Sequence, residues 1–230
     1  MRIFMSSPSY IQGPGVMAQL ATLAARHGAR PLVIADAGIT PLLEPVLRDS
    51  FAAAQLDMHL LPFASEVTLA VLDALAARTG ALKPDLIIGI GGGKALDAAK
   101  GVALRLGLEM ISVPTIASTD APASRGIVIY DEKHGLGGVE QMPHNPLSVL
   151  VDTAWIARAP ARFLSAGIGD AIAKKFEVDA CRAAGGINKH GTPASLTALA
   201  VADACYDCLR AQGPQALTLG GVDAGQRLPG

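Results

Sequence analysis

Aromatic residues are scarce in this chain: Phe, Tyr and Trp make up 4% of 230 residues, with a single Trp. A core must therefore be assembled from Ala, Val, Leu and Ile, which suits alanine-rich helices packed on aliphatic strands. Charge is sparse as well, at 17%, and the 19 Lys and Arg nearly cancel the 20 Asp and Glu. Without a basic surplus the sequence carries no electrostatic footprint for nucleic acid, and none is expected as a partner. No apolar run reaches the roughly 18 residues of a membrane span, and the N-terminal stretch lacks the apolar segment of a signal peptide. No membrane association is expected, and the chain reads as a cytoplasmic protein. Three cysteines cannot all pair internally. A 50% hydrophobic content and a mean hydropathy of +0.37 exclude a disordered chain, and the length allows one large domain or one and a half ordinary ones.

What is present is an alternation of short aliphatic runs and amphipathic stretches. Pro31–Ala35, Asp57–Phe63, Asp85–Ile90 and Glu109–Val113 read as buried strands, with Ser148–Val151 as a further one. Pro14–His27, Ile39–Gln55, Glu66–Thr79 and Lys94–Leu106 read as helices; in the first, Val16, Leu20, Leu23 and His27 share one face. This pattern predicts an α/β fold with a parallel sheet covered on both faces. Turn residues dominate Asp131–Pro160, and thereafter the chain reads as helical, over Ala161–Ala184 and Pro193–Ala211. A domain boundary is expected near Ile156, with residues 1–155 as the α/β domain and 156–230 as the incomplete start of an all-helical one. Gly213–Gly230 reads as a frayed tail.

Four polar features lie on this framework. Gly89-Ile90-Gly91-Gly92-Gly93-Lys94, followed by Asp97 and Lys100, joins a buried strand directly to a helix. Such a turn lets backbone approach a phosphate at a helix N-terminus, or serves simply as a tight strand-to-helix connection. It is neither a Walker loop nor GxGxxG, since Ile88 and Ala95 break the first pattern and Lys94 the second. Asp36 closes the first strong strand, where an acid can hold a ribose hydroxyl or act as a turn residue. Pro114 to Ser124 follows the fourth strand and carries five hydroxyl or carboxyl side chains within ten residues, at the strand's carboxyl end, and reads as a binding loop or simply a hydrophilic one. Asp170, in Gly167-Ile168-Gly169-Asp170, fits a helix N-cap as well as a ligand, with Glu177 on roughly the same face. Cys205 and Cys208 have CxxC spacing within a helical pattern and, with Cys181, read as buried helix-face residues.

Taken together, Ile87–Lys94 with Asp97 and Lys100, Pro114–Pro122, Val128–Tyr130, Asn145-Pro146, Val151–Thr153 and Gly167–Asp170 resemble, in order and spacing, the glycerol dehydrogenases of the iron-containing (group III) alcohol dehydrogenase family. The resemblance runs over roughly Met1–Ala216. It implies an N-terminal dinucleotide-binding domain, a C-terminal helical domain and a divalent metal in the cleft between them, with assembly as a homo-oligomer. It assigns Asp36 to the adenosine ribose of NAD, and Gly92, Gly93 and Lys94 to the pyrophosphate. Thr115, Ser118, Ser124, Gly126 and Tyr130 line the NAD site, with Gly126 standing where a larger apolar residue is expected and Arg125 unusual beside it. Asp120 contacts the small polyol substrate and Asp170 is the first metal ligand. The implied reaction is oxidation of glycerol or a related vicinal diol to dihydroxyacetone by hydride transfer to NAD, with zinc as Lewis acid. Ala117–Pro122 is similar to the glycerol enzymes and argues against a phosphorylated polyol or the dehydroquinate synthase reaction.

The same resemblance implies two further histidine ligands in a C-terminal stretch without counterpart here. None of His27, His59, His134, His144 and His190 lies in a matching motif, although His190, in a Gly-rich turn, could approach the cleft. The sequence departs from the family pattern from about residue 217, as a frameshift or premature stop would produce. The expectation is thus a C-terminally truncated chain with an incomplete metal site and unpartnered apolar faces around Leu196, Leu199 and Leu209. The alternative is a catalytically inactive NAD-binding remnant.

Overall fold

Four strands, buried throughout except for the half-buried Asp36 at the end of one, form the centre of the molecule's sheet, and their sequences explain why. Pro31–Asp36 (β2), Leu86–Gly91 (β4), Met110–Pro114 (β5) and Ser148–Asp152 (β8) are short runs rich in Leu, Ile and Val, bounded by turn residues and buried on both faces. In the computed structural model, which describes residues 1–220, Ser9–Gly13 (β1) and His59–Phe63 (β3) flank them. The sheet has six strands, all parallel, in the order β1-β8-β5-β4-β2-β3. The expected α/β class is what is found.

The helices between the strands are Leu20–Ala24 (α1), Thr40–Ala53 (α2), Leu69–Gly80 (α3) and Gly93–Leu106 (α4). Alternate residues along β2 serve opposite faces. Val33 and Ala35 pack with Leu43, Leu47 and Phe51, while Leu32 and Ile34 pack with Leu72, Ala99 and Val102. The helix ends are specified locally. Thr68 caps α3 by accepting the Val71 N–H, and Gly107, at φ 66°, ends α4 with its own and the Leu108 N–H turned back onto α4 carbonyls.

Several elements differ from the sequence expectation. The helix expected over Pro14–His27 is a 3-10 turn at Val16–Gln19 followed by the short α1. Its entry is set by the buried Asp152 carboxylate, which accepts the N–H groups of Gly15 and Met17 at 3.1 and 2.9 Å. The edge strand β1 carries no apolar run to announce it. The antiparallel hairpin Gly126–Tyr130 (β6) and Leu136–Gln141 (β7) is an addition: β6 falls where no element was assigned, and β7 lies within the stretch read as turns, because its glycines mask the alternation.

After β8 come Thr153–Ile156 (α5), Ala161–Ala183 (α6) and Leu196–Gly220 (α7). The frayed tail expected from Gly213 is helical as far as Gly220, and the rest of it, 221–230, lies outside the described residues. Among the described residues no helix is long and apolar enough to cross a membrane. By contacts the chain forms two units. One is Ser6–Ile116 with Ala121–Ile156, and the other joins Met1–Met5, Ala117–Asp120 and, among the described residues, 157–220.

Candidate functional site

In a parallel α/β sheet the carboxyl ends of the strands all open on one edge, the place where ligands bind. β2 ends there in Asp36 and the neighbouring β4 in Gly91. Asp36 precedes the glycine turn in sequence, the reverse of the usual fingerprint, yet the strand order makes them adjacent. A Cβ built on Gly91 would fall 2.8 Å from the Asp36 Cβ, and Gly91 has φ 145°, where a side chain is strained. The Asp36 carboxylate accepts the Gly38 N–H at 2.8 Å.

Gly92 is the N-cap of α4, in extended conformation, and no side chain caps the helix. A Cβ on Gly93 would meet nothing within 4 Å, so the helix N-terminus opens onto free space. This is the geometry that accommodates a phosphate group, with the helix dipole favouring its negative charge. Thr115, itself buried, donates its N–H to the Gly91 carbonyl at 3.1 Å and ties the loop after β5 to the turn. Lys94 pairs with Glu66 at 2.8 Å, and His134 approaches the same carboxylate oxygen at 3.1 Å. The hydrogen bond from Lys94 holds the Glu66 carboxyl below its ordinary value. Neither Glu66 nor His134 was expected at the site, although Glu66 follows the end of β3 closely enough for the strand-end rule to have marked it.

The remaining sheet-unit candidates lie on β6 and the turn before it. The Ser124 Oγ accepts the Gly126 N–H at 2.9 Å, and a Cβ on Gly126 would press on that oxygen at 3.1 Å. Glycine at 126 is thus compatible with the turn as folded. Tyr130 is half-buried at the end of β6, its N–H bonded to the Val67 carbonyl. Behind them Lys100 and Asp97 are buried on α4.

Ser118 and Asp120 belong to the other unit, together with Asp170. Asp170 is not a helix N-cap: it sits inside α6, whose first residue is Ala161. The glycine ahead of it has a packing reason. A Cβ on Gly167 would clash with the Ala117 carbonyl oxygen, so only glycine lets this segment rest on the helix. Asp170 Oδ2 accepts the Asp120 N–H at 3.0 Å, and Lys174 lies 3.4 Å from Oδ1 and 3.5 Å from Glu177. Burial opposes the charge on Lys174, but the Asp120 and Asp170 carboxylates outweigh it and raise its pKa. Asp120 is exposed.

Among the described residues no three His, Cys, Asp or Glu are grouped to hold a metal ion. His190 is in a turn built on Asn188, whose Oδ1 accepts its N–H. The cysteines are not buried as expected: Cys181 and Cys205 are half-buried and Cys208 is exposed, because α6 and α7 present little covered surface.

A family model described as iron-containing alcohol dehydrogenase matches residues 7–153. A glycerol dehydrogenase of Escherichia coli is 38% identical over 94% of this chain and 59% of its own length. A glycolaldehyde reductase of Halobacterium salinarum is 38% identical with the same coverage. The crystal structure of glycerol dehydrogenase from Schizosaccharomyces pombe superposes with a TM-score of 0.88 at 32% identity, over 96% of this chain and 56% of that one. The chain therefore spans about three fifths of the length of the curated relatives it matches.

Proposed function

Because this chain belongs to the iron-containing alcohol dehydrogenase family, we propose that it is a cytoplasmic oxidoreductase that holds NAD on the Gly91–Gly93 turn and oxidises a small vicinal diol, glycerol first. The observation that carries the proposal is the cradle itself: a strand end, a glycine at φ 145°, an uncapped helix and open space at Gly93, with Asp36 alongside. These residues fit a dinucleotide. Within the sheet unit, Gly92, Gly93 and Lys94 hold the pyrophosphate and Asp36 the adenosine ribose, while Thr115, Ser124, Gly126 and Tyr130 line the rest. Bound nicotinamide supplies a hydride acceptor.

The chain's own groups orient the substrate. Asp120 offers an exposed carboxylate that accepts hydrogen bonds from adjacent hydroxyls, and its backbone is fixed by Asp170. With NAD bound, the central carbinol carbon of glycerol would pass its hydride to the nicotinamide and the hydroxyl its proton to solvent, leaving dihydroxyacetone. A divalent ion, iron by the family's description and zinc by the glycerol enzymes' resemblance, does not fit the described donors. Asp170 is a single carboxylate already engaged by the Asp120 amide and Lys174, whereas catalytic zinc sites use three protein ligands.

That engagement of Asp170 favours a second reading, NAD binding without turnover. Glycerol-dependent NAD reduction by the purified chain, with zinc and with ferrous iron in parallel, separates the two. Turnover is the expected outcome; NAD binding without it selects the second reading, and a folded chain that binds no NAD overturns both.

A further inference from the structure

Two charged residues one turn apart on α4 lie inside the sheet unit without a part in the chemistry above. Lys100 is 0% exposed and Asp97 6%. Desolvation offsets most of the attraction in such a pair, so it stabilises little more than apolar side chains of the same volume. What a buried pair adds is direction, since each hydrogen-bonding position must be filled by a partner in the right place. Lys100 Nζ donates to Asp97 Oδ1 at 3.0 Å, to the Ala121 carbonyl at 2.7 Å and to the Gly126 carbonyl at 2.9 Å. Asp97 Oδ2 accepts the Val128 N–H at 3.0 Å.

These bonds grip both ends of the loop Ala121–Gly126 and the start of β6 behind it. Between the two gripped carbonyls, the Ser124 hydroxyl closes its own turn on the Gly126 N–H. The helix that supplies the grip is the one whose N-terminus is the glycine turn. We propose that Asp97 and Lys100 are positioning residues, a clamp that sets the Ala121–Gly126 loop against the phosphate cradle so that one helix places both parts of the cofactor site. The use of the loop rests on the NAD reading above; the clamping of the loop does not.

The test uses the full chain with Asp97→Asn, which keeps an acceptor for Lys100 but turns a donor toward Val128, and with Lys100→Met. Two quantities are read: amide hydrogen exchange over 121–128, and the NAD dissociation constant by titration calorimetry. Both variants should speed exchange in that segment and weaken NAD about tenfold, on the order of one charge-assisted hydrogen bond. Where turnover is measurable, KM for NAD should rise with kcat changed far less. A purely structural pair would lower the melting temperature and leave the dissociation constant alone. Faster exchange with unchanged NAD affinity overturns the positioning role, and unchanged exchange overturns the clamp. If Lys100→Met fails to fold, Asp97→Asn decides alone. A wild-type chain that binds no NAD overturns the function proposed above, and the exchange rates then still decide the clamp.

Discussion

Every residue of β4 is buried, whereas none of the 23 residues of α6 is. The sheet unit closes two apolar clusters around its strands, and its helices are covered where they meet them. The α6–α7 pair is joined by polar and aromatic contacts instead. Lys175 bridges Asp179 on its own helix and Asp203 on α7, which together raise its pKa, and the Phe176 ring meets Tyr206 edge-on at 5.7 Å. Phe176, Leu196 and Val201 stay largely exposed, as expected for Leu196 from the sequence. The difference teaches that one chain can carry a unit stabilised by burial beside one stabilised by contacts that salt and solvent weaken.

The sharpest way to test that contrast is a truncation in the sheet. Ile88→Ala removes a fully buried side chain from β4 and should cost about 3–4 kcal/mol in urea unfolding. Gly167→Ala should cost about 2 kcal/mol in the helical unit, because the added methyl displaces the Ala117 carbonyl; altered exchange at Ser118–Asp120 reports it. Phe176→Ala, at a side chain already open to water, should cost under about 1 kcal/mol by the same denaturant measurement. A loss there as large as at Ile88 would erase the contrast. The smallest effect belongs to Glu66. Its carboxyl is held below the ordinary 4.5, so its contribution is present above that pH and lost as pH falls through the folded value. Glu66→Gln should remove about 0.5 kcal/mol at neutral pH and flatten stability between the two pKa values, as acid titration of the unfolding midpoint would show.

How far the sequence could be read follows from how local each signal is. The central strands were legible because burial on both faces writes a continuous aliphatic run, and the glycine turn because strand, glycines and helix are contiguous. β1 and β7 were not, since an edge strand need satisfy only one neighbour and Gly137 and Gly138 interrupt the alternation in β7. Asp36 had the right residue type in what looked like the wrong order, and only the strand order brings it beside Gly91. Asp170 looked like a helix start because two glycines precede it, but α6 begins at Ala161, and Gly167 serves a close approach to Ala117, between segments far apart in the chain. Lys100 was visible as a motif residue, but its partners at Ala121 and Gly126 are carbonyls, which no side-chain pattern can announce.

The position of β1 has a temporal consequence. Ser9–Gly13 pairs with Ser148–Asp152, and the Asp152 carboxylate fastens the turn that follows β1. The earliest strand to leave the ribosome is therefore among the latest to be seated. Its one partner in the sheet is β8, so it can pair only once Ser148–Asp152 has been made, after β2 to β5 are already available to one another. A stall anywhere before Asp152 would leave a nearly complete sheet with an unclaimed strand at its front end.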